Sequence, residues 1–253
     1  MENSLAQLAS GQRINKSADD AAGLAISENL KAQLRGLTQA KRNASDGISF
    51  IQTAEGGLNE IGNMLIRLRE LSVQAASDTI GPVERGFLNV EFQQLKNEIE
   101  RIAQSTRYND TNLINGTGGT MEIQIGLHHE AFTNRIGFDT SKNAATLDSL
   151  KIKDIKVVKK EDAQQTLNKL DFAIEHVAGV RANFGALQSR LQSTINNLDI
   201  FHENLSAANS RIRDADMAKT TAELARHQIL LQAGMSVLGQ ANQTTGMALK
   251  LLQ

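Results

Sequence analysis

The sequence predicts a mainly α-helical fold, an elongated antiparallel coiled-coil rod with a small β-hairpin region. Three observations carry this: a seven-residue apolar repeat, a shortage of aromatic residues, and a single proline in 253 residues. Leu170, Val177, Phe184, Leu191, Leu198 and Leu205 recur at strict heptad intervals, with Leu167, Ile174, Val180, Leu187, Ile195 and Phe201 in the turns between. Such spacing gives a helix one narrow apolar seam. From Leu167 to Leu205 it spans roughly 58 Å at about 1.5 Å per residue, so it needs a second long helix to lie along. Hydrophobic residues make up 40% of the chain but aromatic residues only 4%, with no Trp, one Tyr and eight Phe. Leu, Ile, Val and Ala suit long thin seams better than a thick core filled by large rings.

The partner helix lies toward the N-terminus. Leu30, Leu34, Leu37, Ala44, Ile48, Ile51, Leu58, Ile61, Leu65 and Leu68 step by threes and fours with some slots skipped, one side of a helix. Glycines at 36, 47, 56, 57 and 62 each cost a helix on the order of 1 kcal/mol, so this helix draws its stability from neighbours and its seam is expected to be soft. A stop is expected near Ser77 to Gly81, with Pro82 in the first turn of a helix carrying Leu88, Phe92, Leu95, Ile99 and Ile102. That helix should end before Asn109-Asp110 and the turn-rich run from Asn115 to Gly119. Met121, Ile123 and Ile125 alternate with polar residues as a half-buried strand does. Ile136 and Phe138 suggest a second strand, and Ile152, Ile155 and Val157 a third whose interleaved lysines form a solvated face.

Charge and composition exclude several classes. The net charge of −1 offers no field for nucleic acid or an anionic membrane. The absence of cysteine removes disulfides, thiolate nucleophiles and Cys-bound metals. No apolar run reaches the length of a membrane span. The last segment is the most informative. Asp214 and Asp216 suit a helix start. From Gln228 to Gln253 the only charge is Lys250, while Ile229, Leu230, Leu231, Met235, Val237, Leu238, Met247, Leu249, Leu251 and Leu252 point nearly all round a helix. A helix apolar on every side is buried on every side. Its Gln and Asn residues would be costly in lipid, and one chain cannot surround it. Self-assembly follows.

The residues Leu8-Ala9-Ser10-Gly11-Gln12-Arg13-Ile14-Asn15 and Ala18 to Ile26 resemble the N-terminal signature of bacterial flagellins. The resemblance continues at Gly36 to Ala40, Asn43 to Ile48, Thr53 to Gly56 and Arg69 to Gln74, and again at Asn204 to Ala208, Ile212 to Ala215 and Gln240 to Gln243. It implies a coiled-coil rod domain over 33–213, with the hairpin at about 120–160. It also implies a terminal domain in which 1–23 is a stub of the first inner-tube helix (Ser4 to Ile14) and 214–253 the last, with an irregular linker over 24–32. The variable outer domains of many flagellins are missing. Members of the family carry a further stretch ahead of the position matching Met1, which bears on how this chain assembles and is exported.

The resemblance also implies partners: other subunits in a homopolymer, and an export chaperone that wraps Ile229, Leu230, Met235, Val237, Leu238 and Leu249 as a helix in a groove. Arg67, Leu71 and Arg101 match positions read by Toll-like receptor 5, as an arginine anchor with an apolar contact on an exposed helix face. The implied location is extracellular, in the flagellar filament, after export by the flagellar secretion apparatus. His128-His129-Glu130 lacks the i, i+4 histidine spacing of a zinc peptidase and reads as a hairpin loop. No catalytic, cofactor or metal residue is expected. The function expected is a structural subunit of the filament. The alternatives are a hook-filament junction protein, a binding module displaying the hairpin and, last, an enzyme.

Overall fold

The computed structural model describes residues 2–250, with side chains described through Ala241. Its elements are α1 (Glu2–Ser10), α2 (Ala21–Ala76), α3 (Pro82–Ser105), β1 (Arg107–Tyr108), β2 (Thr111–Asn112), β3 (Thr120–Gln124), α4 (Ala131–Asn134), β4 (Arg135–Asp139), α5 (Lys160–Arg213) and α6 (Met217–Lys250). The protein is mainly α, as the sequence predicts. It divides into two compact units, residues 36–200 and residues 1–35 with 201–253.

In the 36–200 unit, α2 buries Leu37, Ala40, Ala44, Gly47, Ile51, Ala54, Leu58, Ile61, Leu65, Leu68, Ser72 and Ala75. The steps alternate three and four without a break, a complete coiled-coil seam. Ser72 sits on it because its hydroxyl donates to the Leu68 carbonyl at 2.8 Å, leaving no unmet donor. On α5 the buried positions are Ala163, Thr166, Leu170, Ala173, Val177, Val180, Phe184, Leu191, Ile195 and Leu198. Leu167, Ile174 and Leu187 of the expected inner row are half-buried, and Phe201 is exposed. Ion pairs Lys41–Asp199, Glu55–Arg181 and Arg69–Asp171 link the two helices, their numbers rising on α2 as they fall on α5. The helices therefore run antiparallel.

Helix α3 lies beside α2. Phe92, Ile99 and Ala103 are buried, and Leu88, Leu95 and Ile102 pack against the same core. Lys96 is buried too. Its ammonium donates to the carbonyls of Lys153 (2.5 Å) and Ile155 (3.2 Å), and burial pulls its pKa below the usual lysine value. Those bonds explain a difference from expectation. Ile152, Ile155 and Val157 are buried, but residues 151–159 form turns and loop, not a strand. Lys151 takes a positive φ of 57°, which breaks extended geometry. The segment then meets its polar backbone with side chains of α3: Gln93 and Lys96 donate to Ile155, and Asn89 accepts from the Val157 amide at 3.2 Å.

Strands β3 and β4 pair antiparallel, Met121 opposite Phe138 and Ile123 opposite Ile136, as the alternation predicts. A second small pair, β1–β2, turns through Asn109 and Asp110 at φ 44° and 65°, both in the left-handed region that a two-residue hairpin turn requires. Three of the five α2 glycines, Gly36, Gly47 and Gly57, are places of close approach. A Cβ on Gly47 would stand 2.6 Å from Ile123 Cδ1, and one on Gly57 would stand 2.7 Å from Thr106 Oγ1. Gly36 meets Leu127 in the same way, whereas Gly56 and Gly62 face open space.

Candidate assembly surface

In the unit formed by 1–35 and 201–253, α1 ends at Gly11, whose φ of +69° turns the chain out of the helix. Gln12 then bridges Asp214. The Arg13 amide donates to the Arg213 carbonyl at 2.6 Å, and the Ala215 amide to the Gly11 carbonyl at 3.0 Å. The Arg213 guanidinium lies inside this junction, donating to Gln12 Oε1 at 2.9 Å and Ser27 Oγ at 3.3 Å and pairing with Glu28. Arg213 and Lys31 hold the Glu28 carboxyl below its ordinary value. Residues 24–32, expected as an irregular linker, are helical within α2. The non-helical stretch is 11–20 instead, because the backbone of 11–13 is tied to 213–215 and Asp19 accepts the Asn15 and Lys16 amides at 3.0 and 2.9 Å.

Helix α6 starts as the acidic residues predict. Asp216 Oδ1 accepts the amides of Ala218 and Lys219 at 3.0 and 3.1 Å, an N-cap. Beyond it, Ile229, Leu230, Met235, Val237 and Leu238 are all 60–66% exposed, with Leu231 beside them. Successive residues project about 100° apart, so Ile229, Leu230 and Leu231 alone span more than half the circumference. Thr220 is the only buried residue among the described side chains of α6. Its neighbour in this unit is α1, nine residues against thirty-four, which cannot sheathe it. The side chain of Leu249 lies outside the described residues. The described part of the apolar tail foreseen from composition, Gln228 to Ala241, is thus an uncovered helix.

The second candidate surface fares differently. Arg67 and Arg101 are exposed, Arg67 pairing with Glu70 and Glu91 and Arg101 with Glu98, contacts that push both guanidinium pKa values up. Leu71, however, is 1% exposed and offers no apolar contact. Arg67–Glu91, and the bond from Arg85 Nε to the Ala75 carbonyl at 2.8 Å, bracket it, so α3 lies over that turn of α2. The exposed apolar residues here are Val83, Phe87 and Val90 on α3, with Ile66 and Val73 on α2. The sequence held a signal for them: 83, 87 and 90 form a second stripe at helical spacing, off the Leu88–Phe92–Leu95 row.

His128, His129 and Glu130 lie in the loop between β3 and β4, and His129 Nδ1 stands 3.1 Å from Arg135 Nη2. Among the described residues no group of three His, Cys, Asp or Glu side chains is placed to hold a metal, and no helix is long and apolar enough to cross a membrane.

Known proteins share this architecture. The bacterial flagellin N-terminal helical region matches residues 1–118, and the bacterial flagellin C-terminal helical region matches residues 167–252. A flagellin of Halalkalibacterium halodurans is 45% identical over all of this chain and 92% of its own length. Flagellin FlaB2 of Treponema pallidum is 40% identical over the same shares. A crystal structure of Bacillus cereus flagellin, 30% identical, superposes over 62% of this chain and 88% of its own with a TM-score of 0.55. The two matched regions together cover most of the chain and leave residues 119–166 between them, and on that ground the chain belongs to the bacterial flagellin family.

Proposed function

We propose that this chain is a structural subunit that polymerises into the bacterial flagellar filament, outside the cell, and so serves motility. The observation that carries the reading is α6, a long helix whose described apolar residues from Ile229 to Leu238 stand in water on nearly every side. Burying one such side chain is worth about 1.5–3 kcal/mol, and neighbouring subunits supply the cover that one chain lacks. Before assembly the same residues suit the groove of an export chaperone, which hides them until the flagellar secretion apparatus takes the chain out. Seeded growth watched by electron microscopy tests the reading. The chain should extend filament seeds without limit; addition of one layer followed by arrest fits a junction protein, and no addition at all defeats the proposal.

A contact with Toll-like receptor 5 rests now on Arg67 and Arg101 alone, with Leu71 withdrawn. Arg67→Ala should weaken receptor signalling by the free chain, and unchanged signalling removes that partner.

A further inference from the structure

The 36–200 unit holds a cavity of about 310 Å³ between α2 and β3. Small-molecule pockets begin at roughly 300 Å³, so it has room for a small guest and no more. Phe50 and Phe138 are buried behind it and meet edge-on at 4.8 Å between centroids, and Phe50 meets Tyr108 edge-on at 5.9 Å. Tyr108 and Met121 are half-buried and form the apolar wall that a guest can touch. Among the described residues no lysine, arginine or histidine lines the space.

Most polar groups at the wall are already engaged. Asn43 Nδ2 donates to the Gln124 carbonyl at 3.0 Å, and Asn43 Oδ1 accepts Gln39 Nε2 at 3.0 Å. Gln124 Nε2 donates to the Gly126 and His128 carbonyls, both at 2.9 Å, and its Oε1 accepts Arg135 Nε at 3.3 Å. Glu122 is paired with Arg135 at 2.8 Å. Asp46 differs. It is exposed at the wall, and among the described residues its carboxylate has no ion pair or hydrogen bond, not even with Arg42 one turn earlier. An apolar, partly aromatic cavity thus carries one uncompensated negative charge.

We infer that this cavity binds a small organic cation with a quaternary ammonium group, its methyl groups against Tyr108 and Met121 and its charge facing Asp46. Chemistry separates the candidate guests. A metal ion of the calcium kind needs a shell of oxygens, which a single carboxylate does not supply. A primary ammonium brings three N–H donors, and the amide oxygens at the wall already accept from Gln39 and Arg135. A quaternary ammonium makes no such demand. Its charge is spread over methyl groups, which an aromatic ring attracts and a polarizable thioether packs against. A neutral apolar guest fills the same walls but leaves Asp46 without a counterion. The site belongs to the free chain and needs no assembly.

Tyr108 is the only tyrosine in a chain without tryptophan, so intrinsic fluorescence reports this cavity without a label. Choline titrated into the full chain at constant ionic strength should give a saturable change in Tyr108 fluorescence, matched by calorimetry, with a millimolar or tighter dissociation constant. The neutral tert-butyl isostere of choline, carbon in place of nitrogen, should bind about tenfold more weakly, the scale of a cation beside a ring. Asp46→Asn, at an exposed position, should weaken choline binding about threefold to fivefold and leave the melting temperature unchanged. Absence of a saturable signal, equal binding of the neutral isostere, or wild-type affinity in Asp46→Asn each overturns the inference. A peptide carrying trimethyllysine separates two sources of the same chemistry. Tighter binding of choline marks a free solute and tighter binding of the peptide a modified side chain, and either order supports the site.

Discussion

Val237→Asp is expected to abolish filament growth while leaving the free chain as stable as before. In the free chain Val237 is 65% exposed, so a carboxylate there meets water and costs no more than an ordinary surface change, within about 0.5 kcal/mol. In a filament that buries α6 the same carboxylate has no cationic neighbour within a turn of its own helix, the nearest charge along the described part of α6 being Arg226. An unpaired buried charge costs several kcal/mol, and about 1.4 kcal/mol is tenfold in affinity. The critical concentration should therefore rise at least a hundredfold, read by sedimentation, with far-UV circular dichroism and melting of the monomer unchanged. Val237→Ala, which removes apolar surface without adding charge, should give a shift of roughly tenfold or less. Chaperone capture should fall together with assembly, since both uses bury the same residues of the helix. Growth of Val237→Asp at the wild-type concentration would mean that this face of α6 is not covered, and the proposed driving force would be lost.

How far the fold was legible depended on residue size. The α5 heptad was read from Leu170 to Leu205 because each position carries a large apolar side chain; Leu170 to Leu198 are buried and Leu205 is half-buried. The α2 seam is more regular than it looked, since Ala40, Gly47, Ala54, Ser72 and Ala75 hold its inner slots. Small residues give almost no hydrophobic signal, yet they let elements approach, as Gly47 does under Ile123. Leu71 shows the opposite failure. Its exposure depended on where α3 lay, and a period along one helix says nothing of a neighbour docked by Arg67–Glu91 and Arg85.

The loop at 151–157 was misread because burial alone does not make a strand. Its apolar residues are buried as expected, but which partner meets the backbone was decided by Lys96, Gln93 and Asn89, about sixty residues away. The apolar tail was legible because its signal was compositional: no arrangement of one chain covers that helix. The irregular stretch at 11–20 was placed too late because the pairing of Gln12 with Asp214 joins residues far apart in sequence.

Phe138→Ala should destabilise the 36–200 unit by about 3–5 kcal/mol, the range for removing a fully buried ring without collapse of the space it leaves. Phe138 is 1% exposed on β4 and stands 4.8 Å from Phe50 of α2 and 5.3 Å from Phe184 of α5, so one side chain fastens the hairpin to both long helices. Repacking cannot readily fill the gap, because Phe50 and Phe184 are themselves held on continuous helices whose buried seams set their register. At roughly 2–4 °C per kcal/mol for a unit of this size, the melting temperature should fall by about 10 °C. Helix content below the transition should be kept, since the seams of α2 and α5 extend well beyond this ring. Phe138→Leu keeps an apolar side chain in place and should cost about half as much or less. A loss under 1 kcal/mol for Phe138→Ala would show the hairpin to be fastened elsewhere.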